Sequence, residues 1–116
     1  MLSHRREHDV LVLTVHEDPG ISGRAGLAGA IMDFVRAFQP APVLVVIGDA
    51  AATPATASAV LRAHRRCGDL DVLFSAVSHD ASVRRLLEDN ADSGGRGLVV
   101  HSRVDAAIAS AYGAAA

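Results

Sequence analysis

Short apolar runs alternate along the chain with longer segments in which apolar residues recur every three or four positions. The four runs are residues 10–15 (VLVLTV), 43–47 (VLVVI), 72–77 and 98–101. Runs of this length that are rich in β-branched residues and bounded by polar or turn residues are typical of strands buried on both faces. We therefore predict four strands inside a sheet.

The segments between and after these runs have the period of amphipathic helices. Residues 23–38 place several apolar side chains on one face, and this predicted helix ends before Pro40, because proline cannot continue a helix. Three further helices are predicted over residues 54–67, over residues 80–89 and from residue 102 onwards. Thr53 is suited to cap the second of the four helices, and Ser78 or Asp80 to cap the third.

The alternation of strands and helices predicts a single α/β domain, because a helical crossover places the next strand parallel to the last. We expect about four strands in a mixed, mostly parallel sheet with helices packed on it, in two or three layers. Residues 1–9 are predicted to be a polar N-terminal tail, residues 10–112 the domain and residues 113–116 a C-terminal tail. A short exposed first strand would leave a sheet edge open to pairing, so a homodimer is one expectation.

The composition excludes several classes of function. Eleven basic and thirteen acidic residues give a net charge of −2, and 3% of the residues are aromatic, so no nucleic-acid partner is expected. All of the basic residues are arginines, which excludes lysine-dependent phosphate loops and Schiff-base chemistry. No apolar run is long enough to span a membrane, and the polar N-terminus does not resemble a signal peptide. We therefore expect a cytoplasmic protein with no membrane partner.

Residue types that bind metals or catalyse reactions are scattered along the chain. Six histidines lie in different predicted elements, and the one helical ligand spacing, between His4 and His8, falls in the polar terminus. Cys67 is the one cysteine, at a helix end beside arginines, where either a lowered thiol pKa or a small half-buried residue is expected. The nucleophile motif Gly-x-Ser-x-Gly is missing. We predict no metal, no cofactor and no enzymatic activity.

The segment GDAAATPATAS, between the second strand and the second helix, is the most informative part of the chain. Ligand and modification sites favour the carboxyl ends of parallel strands, and a helix N-terminus accommodates negative charge. We single out Thr53, Thr56 and Ser58 as candidate phosphoacceptors, and the same residues with Asp49 and Arg62 as the candidate partner-binding set. The alternative is that Thr53 and Thr56 only satisfy backbone amides at the start of the helix.

The order of these elements, and several sequence segments within them, resemble those of the STAS domain of bacterial anti-sigma factor antagonists. The resemblance implies a small mixed sheet with helices packed on one side. It also implies a regulator that binds an anti-sigma factor of the histidine-kinase-like ATPase type and loses that interaction when a serine or threonine at the start of the second helix is phosphorylated. The similarity covers about residues 10–112 and is carried by residues 24–38, 43–47, 60–66 (VLRAHRR), 78–87 (SHDASVRRLL) and 102–108 (SRVDAAI).

The chain departs from this family at the phosphoacceptor motif. Counted back from His64, the family pattern Asp-Ser-Ser/Thr-Gly falls on Thr53-Pro54-Ala55-Thr56, so both usual acceptor positions lack a hydroxyl. One expectation is that Thr53 or Thr56 takes the phosphate. The other is a degenerate STAS module that is not phosphorylated and acts as a protein-binding, small-molecule or nucleotide-sensing domain.

Two further functions are weighed against these. A receiver-type phosphoacceptor domain needs an acidic cluster at the end of the first strand and a lysine near the last, and the chain has no lysine. A sulfur carrier or sulfurtransferase that uses Cys67 would need the thiol in a cradle of backbone amides after a strand rather than at a helix end. Both are therefore less favoured than a binding module.

Overall fold

The computed structural model describes residues 2–68, 70–90 and 97–115, with side chains as far as residue 111. In these ranges the chain forms an α/β domain of five strands and four α-helices. The strands are β1 (Leu2–Glu7), β2 (Val10–Val15), β3 (Val43–Ile47), β4 (Phe74–Ser78) and β5 (Val99–His101), and the helices are α1 (Gly20–Phe38), α2 (Pro54–Arg66), α3 (Ala81–Asp89) and α4 (Val104–Ala115).

The strands lie in one sheet in the order in which they occur along the chain, β1-β2-β3-β4-β5. β1 is antiparallel to β2, and each later strand is parallel to the one before it. α1, α2 and α3 connect the successive parallel strands. The predicted α/β class and mixed, mostly parallel sheet are confirmed, and β2 to β5 correspond to the four predicted strands.

The structure corrects two expectations at the N-terminus: the sheet has five strands rather than about four, and residues 2–7 form β1 rather than part of a polar tail. β1 is held by backbone pairing with β2, from Leu2 opposite Val15 to Glu7 opposite Val10. The connecting residues His8 and Asp9 have φ of 52° and 65°, as tight two-residue hairpin turns require. Because most β1 side chains are exposed, no apolar pattern marks this strand.

The hairpin also changes which strand lies at the edge of the sheet. Residues 10–15, expected as an exposed first strand, form β2 between β1 and β3, and the described sheet edges are β1 and β5. β1 carries Arg5 and Arg6, and charged side chains on an edge strand oppose pairing with another strand. The homodimer stays a prediction, and the edge strand at which it would pair is β1 rather than residues 10–15.

The inner strands bury side chains on both faces of the sheet. Leu11, Leu13 and Val45 lie on one face and belong to a core that includes residues of α1, α2 and α3. Val10 and Val12 lie on the other face in a second core, which α4 covers with Ala107, Ile108 and Ala111. Burial on both faces explains why these strands are continuous apolar runs. The resemblance implies helices on one side, and the structure differs, because α4 crosses the second face and creates a third layer.

The predicted caps of α2 and α3 are confirmed. Thr53 Oγ1 accepts a hydrogen bond from the backbone N–H of Thr56 at 3.3 Å. Asp80 Oδ1 accepts from the backbone N–H groups of Ser82 and Val83 at 2.9 and 3.0 Å. Over the ranges that the structure describes, none of the helices is long and apolar enough to cross a membrane.

Because β2 to β5 are parallel, their carboxyl ends meet at the same side of the sheet, which we call the carboxyl edge. The connections that follow β2 (residues 16–19), β3 (residues 48–53) and β4 (residues 79–80) lie next to each other there. The segment singled out in the sequence is therefore the middle one of three neighbouring connections.

Candidate functional site

The β3–α2 connection is fixed at its base against the end of β2. The backbone N–H of Gly48 donates to the carbonyl oxygen of Val15 at 3.0 Å. A Cβ atom at Gly48 would lie 3.0 Å from that same oxygen, so a larger residue would push the connection away from β2. Farther along, Ala51 is buried, whereas Asp49 and Ala50 are exposed. The connection is thus held at Gly48 by a hydrogen bond to β2 and is exposed to solvent at Asp49 and Ala50.

Thr53 joins the β3–α2 connection to the β2–α1 connection. Its hydroxyl donates to Oδ1 of Asp18 at 2.9 Å, and the same oxygen accepts the backbone N–H of Gly20 at 2.9 Å. One carboxylate oxygen therefore ties the start of α2 to the start of α1. A hydrogen bond to an ionised acceptor is stronger than one between neutral groups. Thr53 is half-buried, and Asp18 is exposed.

Thr56 lies behind Thr53 and is 0% exposed. Its Oγ1 is 3.3 Å from Thr53 Oγ1, so the two hydroxyls form one cluster at the first turn of α2. A phosphate on Thr56 would need space that is filled by protein, and the start of α2 would have to open. Among the candidate phosphoacceptors, Thr53 and Ser58 are the ones with partly exposed side chains.

Ser58 lies in a shallow groove between α2 and α3 with a volume of about 250 Å³. Leu86, at the α3 side of this groove, is 38% exposed, which is high for a leucine in a folded domain. Arg62 is exposed but is not among the residues that form the groove. The groove is lined by Pro54, Ala57, Ser58, Leu61, Arg65, Leu86 and Asn90.

Asp49 connects the candidate segment to the third neighbouring loop. Its Oδ1 is 3.5 Å from Nδ1 of His79, which follows β4, and both side chains are largely exposed. An exposed pair of this kind contributes little to stability. It does bring the β3–α2 and β4–α3 connections together at the carboxyl edge. Asp49, Thr53 and Asp18 thus lie on one side of the molecule, whereas Ser58 opens onto the groove.

The carboxylate of Asp80 is the cap of α3 and contributes a further negative charge to the carboxyl edge. Hydrogen bonds from the Ser82 side chain and from the backbone N–H of Val83 hold the pKa of Asp80 below its ordinary value. The carboxyl group is therefore ionised at neutral pH, as its capping role requires.

Cys67 is buried, with its Sγ 3.3 Å from Sδ of Met32. Burial raises the pKa of the thiol to about 11, against the opposing effect of Arg36 and Arg66. Because the thiolate is the reactive form, such a thiol is poorly suited to sulfur transfer. The expectation of a lowered thiol pKa at Cys67 is therefore wrong, because burial raises the pKa instead. Within residues 2–68, 70–90 and 97–115, no group of three or more His, Cys, Asp or Glu residues could hold a metal ion.

Asp18 is the residue of this site that the sequence analysis does not single out. A signal for it exists, because a carboxylate shortly after one parallel strand is expected near a hydroxyl that follows the neighbouring strand. His16, Glu17 and Asp18 all follow β2, however, and the sequence does not distinguish which of them faces α2. The positive φ of Gly20, 70°, belongs to the turn that places Asp18 there.

Comparison with known proteins assigns the chain to no family. No protein-family model matches it, and no match was found among curated proteins. The resemblance to the STAS domain therefore remains a prediction from the sequence segments given above.

Proposed function

We propose that this chain is an anti-sigma factor antagonist-like regulator, and that its carboxyl edge docks an anti-sigma factor of the histidine-kinase-like ATPase type. The resemblance to the STAS domain supports this proposal, and so does the strand–helix order of the fold. The proposed docking face consists of Asp49, Thr53 and the exposed side of α2 as far as Arg62. Thr56 was also predicted to bind the partner, but its side chain is buried, so its proposed role is to support Thr53 through the contact between their hydroxyl groups.

The position of Thr53 is the observation that carries the proposal. Its hydroxyl lies at the N-terminus of α2, is half-buried, and is held by a side chain from a neighbouring loop. A kinase that modifies it has to displace the Asp18 carboxylate but does not have to unfold α2. Thr53 is accordingly the phosphoacceptor that we propose, ahead of the buried Thr56 and of Ser58 in the groove.

A phosphate at Thr53 would change the docking face without destroying the fold. The group carries a charge of about −1.5 to −2, which the N-terminus of α2 stabilises through its free amides and its dipole. The same charge lies beside Asp18, whose carboxylate repels it. A partner surface shaped to the Thr53 hydroxyl and the Asp18 carboxylate no longer fits this face, and the proposed consequence is release of the anti-sigma factor.

Mass spectrometry of the intact protein tests the modification. The chain is incubated with ATP and a purified anti-sigma factor of the histidine-kinase-like ATPase type, and we expect the mass of one added phosphate. Thr53→Val, which keeps the shape of the side chain but lacks the hydroxyl, should block the addition. Ser58→Ala is the matched control and should leave it unchanged. Full phosphorylation of the Thr53→Val variant would contradict the assignment.

An unswitched protein-binding module is the second candidate. Pro54 and Ala55 favour it, because they occupy the two positions at which the family that the chain resembles carries hydroxyls. In this case Thr53 serves only as the cap of α2 and as the donor to Asp18. An unchanged mass, combined with binding to the same anti-sigma factor, would select this candidate over the first.

A further inference from the structure

We propose that Asp18 relays the modification state of Thr53 to the first turn of α1, where Ile21 extends the docking face. The inference rests on the proposed function, because it assumes that Thr53 is the modified residue. It adds a second element to the switch, since α1 precedes the candidate segment and none of its residues is among those predicted to bind the partner. Asp18 is a positioning residue in this scheme.

The structural basis is a shared hydrogen-bond acceptor. Asp18 Oδ1 accepts from Thr53 Oγ1 at 2.9 Å and from the backbone N–H of Gly20 at 2.9 Å. Pro19, at the cap position of α1, makes no side-chain cap hydrogen bond, so the Asp18 carboxylate takes over at the first amide of this helix. Any group that displaces the carboxylate from Thr53 therefore acts on the start of α1 as well.

Ile21 makes this turn important for recognition. Its side chain is 79% exposed, the highest exposure among the large apolar residues that the structure describes. It directly follows Gly20, whose amide Asp18 holds. An apolar side chain that enters a pocket on the partner can serve as the anchor of an interface. An exposed isoleucine next to Asp18 and Thr53 fits an apolar pocket on the same partner that meets the carboxyl edge.

Phosphorylation changes the chemistry at this acceptor. Transfer of the γ-phosphoryl group of ATP to Thr53 forms a bond between Oγ1 and phosphorus, breaks the bond between that phosphorus and the bridging oxygen, and releases ADP. The hydroxyl proton is released to solvent. The resulting ester oxygen has no proton to donate, and the phosphate anion faces a carboxylate. Both changes release Asp18, and the turn with Ile21 loses its support.

Amide hydrogen exchange in the isolated protein tests the relay without any partner. Thr53→Asp introduces a negative charge and Thr53→Asn is its neutral match, and both residues are good helix caps. We expect the Gly20 amide, which donates to Asp18, to exchange about tenfold faster in Thr53→Asp than in the unaltered chain, because a charge-assisted hydrogen bond is lost. In Thr53→Asn the carboxamide can donate to Asp18, so exchange at this amide should stay within about threefold of the original.

The double variant Asp18→Asn with Thr53→Asp provides the reverse test. An amide at position 18 can donate to the new carboxylate, so slow exchange at Gly20 should return. The amides of β3 report on global stability in every variant. The relay is overturned if Thr53→Asp leaves the Gly20 amide as protected as before, or if the β3 amides accelerate equally. A failure of the proposed function is a separate result, namely no binding and no phosphorylation by the kinase-type partner.

Discussion

Burial determines the chemistry of the single thiol. Cys67 lies at the end of α2 against Met32 of α1, and its pKa rises from an ordinary value of 9.0 to about 11. A raised pKa means that the folded protein holds its thiol proton more tightly than the unfolded chain does. The unfolded chain therefore loses that proton first as the pH rises, and folding stability falls between the two values.

This gives a prediction for alkylation and for pH dependence. Iodoacetamide at about pH 8 should modify Cys67 in the folded protein far more slowly than in concentrated urea, since the thiolate is the reacting species. As the pH is raised from about 9 to about 11, the urea concentration at the unfolding midpoint should decrease. The decrease should be smaller for the Cys67→Ala variant over the same pH range. Intact mass and urea titrations provide the measurements. Equal alkylation rates in the folded and unfolded protein would contradict the burial of the thiol.

At the residue scale, the sequence predicts positions that follow local rules. Thr53 and Asp80 cap helices as predicted, because a cap depends on residues that are close in the chain. Asp18 does not follow from the sequence, because its partner Thr53 lies 35 residues away. The burial of Thr56 has the same origin, since it depends on how α2 packs rather than on its own neighbours.

Among the helices, α4 has a separate packing role. It alone covers the second face of the sheet in the described part of the chain, and Ile108 is the largest of its buried side chains there. Ala107 and Ala111 complete the contact, and their small size lets the helix approach the strands closely. The second core therefore depends on few side chains.

We predict that Ile108→Ala lowers the free energy of unfolding by about 2–4 kcal/mol, the usual range for removing a buried isoleucine side chain. Ile108 is 7% exposed, and the adjacent Ala109 is exposed, so Ala109→Ser serves as the control and should change stability by less than about 0.5 kcal/mol. Urea unfolding measures both. Equal stability of the two variants would show that α4 does not form the second core.

At the element scale, burial on both faces made the strands predictable. β2 and β3 are continuous apolar runs because alternate side chains enter different cores. β1 has the sequence LSHRRE and is held by backbone pairing and a hairpin turn, so a method based on apolar pattern cannot find it. The face of the sheet that α4 covers could not be predicted either, because its alanine-rich sequence fits either face.

The carboxyl edge carries three aspartates and one arginine, Arg84, which donates to the carbonyl oxygen of Ser78 at 2.8 Å. Asp18, Asp49 and Asp80 are all exposed there. A partner that docks on this edge needs a surface with positive charge, and complementary charges mainly accelerate association and set specificity. At this scale the order of elements could be predicted from the sequence. The proximity of the three aspartates could not, because it depends on how the connections after β2, β3 and β4 lie next to each other.

Reversing one of these charges tests the edge as the docking face. Asp49→Arg should weaken binding of the anti-sigma factor severalfold, and the difference should shrink at high salt, where charge interactions are screened. Asp33→Arg is the matched control, because this exposed residue lies in the later half of α1, which leads away from the carboxyl edge. Titration calorimetry gives both affinities. Equal weakening by the two variants would point to net charge rather than to the edge.

The place of α4 in the chain has a consequence for how the protein is made. β2 emerges before α4 during synthesis, yet Val10 and Val12 are covered by α4. The nascent chain therefore exposes this apolar sheet surface until α4 has left the ribosome. During that interval the surface is open to chaperones and to aggregation, so chains that stop before residue 104 should depend most on cellular folding assistance.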